Sequence, residues 1–266
     1  MDPARYDVNL SLLFTELDVL QRPAAAKAAG FDAVEYWWPF AVAVPSGREV
    51  DAFVRAVSEA GVQLVGLNFF AGDMPAGARG VLSDPDRASE FADNVEVAVD
   101  IGRRLGCRAF NALYGNRIDG VEASEQDDVA TENLIGAARA MARIGGQVLI
   151  EPVSGTPSYP LKTADDALRV IERVHGEGGV DNVRLLFDLY HLAVNGDDPD
   201  AVIDRYGPRI GHVQIADVPG RHEPGTGELD FEHYFTALDA AGYTGYVGLE
   251  YKPSGVSADS FGWLQR

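Results

Sequence analysis

The chain holds a single cysteine, Cys107, so an intrachain disulfide is excluded and a reducing compartment is the expected setting. Cys107 itself lies in an apolar run and reads as a small buried hydrophobe. Basic residues are scarce, 22 against 41 acidic ones, for a formal net charge of −19. That balance speaks against nucleic acid and against an anionic membrane surface, both of which want a basic face. No apolar run approaches the ~18 residues of a membrane span. The N-terminus lacks the basic-then-apolar pattern of a signal peptide, so a cytoplasmic location is expected. Also missing are a G-x-G-x-x-G fingerprint after the first strand, low-complexity segments, and any shift in composition that would mark a domain boundary.

What is present is an alternation of strand-like and helix-like segments along all 266 residues. Strands are predicted at 6–14, 33–37, 63–69, 107–113, 147–150, 183–188, 210–215 and 246–250. Helices are predicted between them, the first over 15–29. Ser46-x-x-Glu49 forms a capping box ahead of Val50, Phe53, Val57 and Ala60 on one face. Ala130, Leu134, Ala137, Met141 and Ile144 mark a second amphipathic stripe. Eight such βα units predict a parallel sheet, and the length suits a closed barrel. The expected fold is therefore α/β, a single (β/α)8 TIM barrel over residues 1–266, with its active site at the C-terminal ends of the strands.

Strands five to eight end in Glu151, Asp188, Gln214 and Glu250. In a closed barrel these ends are neighbours around one side of the mouth. Three carboxylates and an amide oxygen there would repel one another unless a cation bound them, and an all-oxygen set suits Mg²⁺ or Mn²⁺. Each acid taken alone reads more readily as a solvated strand end; four at equivalent positions in succession do not. His191, Arg221, His222 and Lys252 follow in the loops and put cations on the rim of an acidic protein, as a small anionic substrate requires. His175 and His233 fall in predicted helices and read as structural. The Gly-, Pro- and Asp-rich stretch 70–87 is long enough to be a lid, with Gly72, Gly77 and Gly80 allowing closure. Phe14, Trp37, Trp38, Phe69 and Tyr114 stand near strand ends and are candidates for an apolar wall or for ordinary core.

The blocks Ile150-Glu151-Pro152, Phe187-Asp188-Leu189-Tyr190-His191, His212-Val213-Gln214-Ile215-Ala216-Asp217, Gly220-Arg221-His222-Glu223-Pro224 and Gly248-Leu249-Glu250-Tyr251-Lys252-Pro253 resemble the hydroxypyruvate isomerase family. That family belongs to the xylose-isomerase-like barrels. The likeness extends to Gly77-Ala78-Arg79-Gly80 and Gly262-Trp263-Leu264. Related ketose 3-epimerases usually carry His where Gln214 stands.

The resemblance implies a metal site at Glu151, Asp188, Gln214 and Glu250. It makes Glu151 and Glu250 the acid–base pair of an isomerase that interconverts hydroxypyruvate and tartronate semialdehyde through an enediolate, in glyoxylate and carbohydrate metabolism. The rim cations His191, Arg221, Lys252 and His222, read from the loops and not from the resemblance, are the candidates to hold the substrate. One departure is Pro152, where a smaller residue is expected. Rival readings on the same site are a 2-oxo-tetronate isomerase, a ketose 3-epimerase, a cyclic polyol dehydratase and a non-catalytic sugar-acid-binding barrel. A homo-oligomer is compatible with the sequence.

Overall fold

In the computed structural model, which describes residues 5–265, eight parallel strands close into a barrel in the order of the chain. They are β1 (Tyr6–Asn9), β2 (Ala33–Tyr36), β3 (Gln63–Asn68), β4 (Ala109–Asn111), β5 (Gln147–Ile150), β6 (Val183–Asp188), β7 (Ile210–Ile215) and β8 (Val247–Leu249). Tyr6 of β1 pairs with Val247 of β8, which closes the ring. The helices between them are α1 (Arg22–Ala28), α2 (Gly47–Ala60), α3 (Ala88–Leu105), α4 (Ala123–Ala142), α5 (Ala164–Gly178), α6 (Leu189–Asn195), α7 (Pro199–Tyr206) and α8 (Phe231–Ala240). Among the described residues, no helix is long and apolar enough to cross a membrane.

Local chemistry sets the helix ends. Ser46 accepts from the Glu49 amide while the Glu49 carboxylate accepts from the Ser46 amide, so two orphan donors at the start of α2 are satisfied. Gly61 ends the helix at φ 69°, a left-handed conformation that suits glycine. Val50, Phe53, Val54 and Val57 of α2 are buried against the sheet. Each such side chain contributes about 1.5–3 kcal/mol by leaving water. Thr163 and Asp166 form a second capping box at the start of α5.

Two expectations need correction. β1 stops at Asn9, well before residue 14, because the Asn9 side-chain oxygen accepts from the Ser11 amide and turns the chain there. The following segment is a series of turns, and α1 begins only at Arg22, with Pro23 in its first turn. The stretch 70–87 is packed rather than loose. Ala71, Val81 and Leu82 are buried, and a short 3-10 turn spans Pro85–Arg87. An added Cβ on Gly80 would lie 1.9 Å from the Leu113 carbonyl oxygen, and one on Gly72 would lie 3.0 Å from the Ala78 Cβ. Of the three proposed hinge glycines, only Gly77 has open space around it.

The core is divided. The large apolar cluster lies between sheet and helices, and includes Val8, Leu64, Phe110, Val148 and Phe187. A separate small cluster of Ala109, Leu149 and Leu186, from three adjacent strands, occupies the barrel lumen. Much of the remaining lumen is polar: Asp7, Asn9, Glu35, His212 and Gln214 are all buried on strands.

Candidate active site

Glu151 directly follows β5, Asp188 is the last residue of β6, Gln214 lies in β7 and Glu250 directly follows β8. Register aligns them: Asp188 pairs with Gln214, and the Glu250 amide donates to the Ile215 carbonyl at 3.1 Å. The Asp188 carboxylate accepts from the His191 amide at 3.1 Å and so caps α6, which brings His191 back over the barrel mouth. Ligand atoms of Glu151, Asp188, His191 and Glu250 all lie within 4.8 Å of one another, and all four residues are buried.

The carboxylates are held from several sides. Asn111 donates to Glu151 Oε2 at 2.7 Å. Glu250 Oε1 accepts from Trp37 Nε1 at 2.8 Å, from Asn9 Nδ2 at 3.2 Å and from Gln214 Nε2 at 3.3 Å. The Arg221 guanidinium bonds Glu250 Oε2, lies 3.8 Å from Asp188 Oδ2, and stacks over the Tyr190 ring. Burial raises Glu151 well above the usual carboxylate range, and the negative charges of Glu250 and Asp188 push it further. Burial also pushes Glu250 up to about 7, against the pull of Arg221. Burial alone would lower Arg221, but Glu250, Asp188 and Glu151 hold it above its ordinary value.

His191 has one role decided by its neighbours. Its Nδ1 lies 3.1 Å from the Ser154 amide, which can only donate, and 2.7 Å from the Ser154 hydroxyl. Burial and Arg221 drive its pKa down to about 3, so the ring is neutral. Nδ1 is thus the acceptor and Nε2 carries the proton. That N–H lies 3.8 Å from Glu151 Oε1 and 3.7 Å from Asp188 Oδ2. A protonated nitrogen donates; it does not ligate. His191 therefore fits a hydrogen-bond donor toward a bound oxygen better than a fourth metal ligand. Gln214 offers what His191 lacks. Its Oε1 is buried without a hydrogen-bond partner, as is Asn111 Oδ1. An unpaired buried acceptor costs about 1–3 kcal/mol unless something electropositive meets it. Three carboxylates and this free amide oxygen form a hard-oxygen donor set that fits a divalent cation.

A cavity of about 470 Å³ opens above the cluster and is lined by Glu151, His191, Arg221 and Glu250, with Arg79 and Lys252 among the others. Lys252 is exposed at the rim, and its amide donates to the Arg221 carbonyl. The structure does not bring His222 to the cavity wall. Its Nδ1 lies 2.7 Å from the Lys252 carbonyl, so it ties the loop after β7 to the loop after β8. Arg79 was not singled out as a substrate residue; only its cationic charge in a glycine-rich turn signalled it. Of the five aromatic candidates, Trp37 lines this cavity, Trp38 lines a neighbouring one, and Phe14, Phe69 and Tyr114 are buried core. His175 and His233 are exposed, bonded to the Val180 carbonyl and to Asp200. Pro152 is buried at the start of a loop in which the Tyr159 hydroxyl donates to the Glu151 carbonyl at 3.0 Å.

Arg221 takes φ 60°, unusual for a residue with a side chain. Asp217 is what holds it there. The Asp217 carboxylate accepts from the amides of Val218, Gly225, Gly227 and Leu229, and its carbonyl accepts from the Arg221 amide. An added Cβ on Gly227 would lie 2.2 Å from the Val218 carbonyl oxygen, so the loop is as tight as backbone allows.

Residues 23–266 match the family described as xylose isomerase-like TIM barrel. The chain is 54% identical to a Streptomyces coelicolor protein provisionally named hydroxypyruvate isomerase, over 98% of this chain and 95% of that protein. It is 32% identical to the hydroxypyruvate isomerase of Escherichia coli K12, over 98% of each. It is 34% identical to the 2-oxo-tetronate isomerase of Cupriavidus necator, over 98% of this chain and 97% of that one. Among solved structures it is similar to a Brucella melitensis protein described as an AP endonuclease of family 2, with 33% identity, a TM-score of 0.88 and 98% of each chain covered.

Proposed function

Since the chain belongs to the hydroxypyruvate isomerase family of xylose isomerase-like TIM barrels, and is an isomerase, we propose that it interconverts hydroxypyruvate and tartronate semialdehyde. The observation that carries this reading is the meeting of two opposed kinds of group in one cavity. Buried Glu151 and Glu250 lie close enough to share a site, and Arg221, Arg79 and Lys252 line the same space. The carboxylates suit proton transfer, and the cations suit a substrate that carries its own carboxylate.

Glu151, Asp188, Gln214 and Glu250 would hold a Mg²⁺ or Mn²⁺ ion, whose chemistry when bound is to polarise the substrate oxygens as a Lewis acid. The reaction moves a carbonyl between adjacent carbons without loss or gain of atoms. One glutamate takes a proton from the hydroxymethyl carbon of hydroxypyruvate. The other returns a proton to what had been the carbonyl carbon, and the hydroxyl proton passes between the two oxygens. His191 Nε2–H donates to a substrate oxygen, and Arg221 pairs with the substrate carboxylate. Trp37 and Asn9 keep Glu250 in place for its part.

A second reading, a 2-oxo-tetronate isomerase, is favoured by space. A recess of about 690 Å³ beside the site shares Trp37, Asn68, Met74 and Pro75 with the first cavity, and would admit a longer chain. An endonuclease reading is opposed by the net charge of −19, which repels a phosphate backbone.

The test is isomerisation of hydroxypyruvate and of 2-oxo-tetronate, side by side, by the protein titrated with Mg²⁺ and Mn²⁺. Glu151→Gln and Glu250→Gln are each expected to lower kcat by about 10²–10⁴. Near-normal turnover in either variant would remove that glutamate from the proton transfer. Preference for the longer acid would select the second reading.

A further inference from the structure

We propose that Glu35 is a positioning residue, which fixes the direction in which the Gln214 amide points and so makes its oxygen available as a ligand. The inference rests on the reading of Gln214 as part of a metal site. Glu35 is buried in β2, across the barrel from β7, and is not among the residues lining the cavity. Its influence on the site is therefore argued through its neighbours.

A glutamine amide has two ends of similar shape and opposite hydrogen-bonding character. Gln214 has one end 2.7 Å from Glu35 Oε1 and 3.3 Å from Glu250 Oε1. Both are carboxylate oxygens, which accept; only the amino end can face them. The oxygen end is then turned away, and it is the buried acceptor without a partner. Flipping the amide would set its oxygen against two carboxylates. The direction of Gln214 is therefore dictated by charge, and Glu35 supplies the shorter contact.

Glu35 is itself fixed. Asn9 Nδ2 donates to its Oε1 at 2.9 Å, and His212 Nε2 lies 2.8 Å from its Oε2. Behind His212 stands Asp7, with Oδ2 at 3.9 Å. The barrel wall is also cut away around it. A Cβ on Gly248 would lie 2.7 Å from Glu35 Oε1, and one on Gly66 would lie 3.0 Å from Oε2. Two strands thus carry glycine where any side chain would displace this carboxylate. Bonding and shape each point to a carboxylate held in one place for its neighbour.

The experiment measures Mn²⁺ affinity by the electron paramagnetic resonance signal of the free ion, with circular dichroism as the check on fold. Four proteins are compared: wild type, Glu35→Gln, Gln214→Glu and the double variant. Glutamine at 35 can offer its own amino group, so the Gln214 amide is free to turn its amino end toward the ion. Glu35→Gln is expected to weaken Mn²⁺ by about 10–100-fold, the usual cost of losing an outer-shell partner. In the double variant, residue 214 has no wrong end and accepts from the amide introduced by Glu35→Gln, so most of the lost affinity returns. Unchanged affinity in Glu35→Gln overturns the proposal. So does a double variant as weak as Glu35→Gln, since that marks general damage to the barrel. Should Glu35→Gln not fold, Gly66→Ala crowds the same carboxylate without removing it and is expected to weaken Mn²⁺ in the same direction; wild-type affinity there overturns the proposal. A wild-type protein that binds no Mn²⁺ would refute the metal site itself, a failure distinct from loss of the Glu35 dependence alone.

Discussion

Replacing Gly80 by alanine separates a packed loop from a hinged one. Gly80 holds φ 114°, and its added Cβ would lie 1.9 Å from the Leu113 carbonyl oxygen, where about 3 Å is the closest approach real Cβ atoms make. The backbone must therefore move by roughly 1 Å or more. Two hydrogen bonds are at risk, from the Gly80 amide to the Ala71 carbonyl and from the Gly115 amide to the Arg79 carbonyl. Each contributes about 1 kcal/mol, and the backbone strain of a side chain at positive φ adds about 1–2 kcal/mol. The sum is about 3–4 kcal/mol, which for a chain of this size lowers Tm by about 6–16 °C. Gly77→Ala is the control: φ is 105° but the added Cβ would meet nothing within 4 Å, so only the strain applies and the loss is about half as large or less. Thermal unfolding followed by circular dichroism reads both. If Gly80→Ala melts within about 2 °C of wild type while turnover falls, the turn is a hinge and the packing argument is wrong.

Three further outcomes follow from named contacts. Burial pushes the Cys107 thiol up to about 12, so at mildly alkaline pH its thiolate fraction stays below about one in a thousand; an aromatic disulfide reagent should label it only in denaturant, and rapid labelling of the folded protein would contradict its burial. Trp37→Phe keeps the ring but removes the 2.8 Å bond to Glu250, and because Asn9 and Gln214 still donate to that oxygen the expected loss in kcat/KM is about 10-fold, the low end for a bond to a charged group; an unchanged kcat/KM would show that bond to be idle. Lys252→Met removes an exposed rim cation and should raise KM for the acid about 2–5-fold with little change in kcat. Added salt should raise KM of the wild type more than that of the variant; equal salt responses would deny Lys252 a part in holding the substrate.

The barrel was legible because its signals are local. Ser46 with Glu49, and the spacing of Val50, Phe53 and Val57, specify α2 without reference to anything distant. Glu151, Asp188 and Glu250 were legible because each breaks an apolar run at the same point of its strand, and the observed register brings them together. Glu35 was not. It sits inside a strand beside Tyr36 and Trp37, where a charge reads as one residue of an alternating pattern. Its meaning depends on His212 and Gln214, which are 177 and 179 residues away. A signal existed in the polar positions of alternating strands, Asp7 and Asn9 of β1 and His212 and Gln214 of β7, which share the lumen with the small apolar cluster of Ala109, Leu149 and Leu186. The early stop of β1 was missed for a different reason, since one Asn9 side-chain bond outweighs the apolar run that follows.

The Asp217 knot has a consequence for how the substrate range of this barrel can change. One carboxylate collects four amides across a loop of twelve residues, and Gly227 leaves no room for slack. An insertion there breaks several bonds at once and frees Arg221, so variants that lengthen this wall are expected to lose the proposed anchor for every acid alike. The opposite wall, 70–87, carries Arg79 on a turn where a side chain added at Gly77 would meet nothing within 4 Å. New specificities should therefore arise by rewriting that side alone. A library confined to residues 73–79 is the place to look for them, with the Asp217 loop left untouched as the fixed jaw of the clamp.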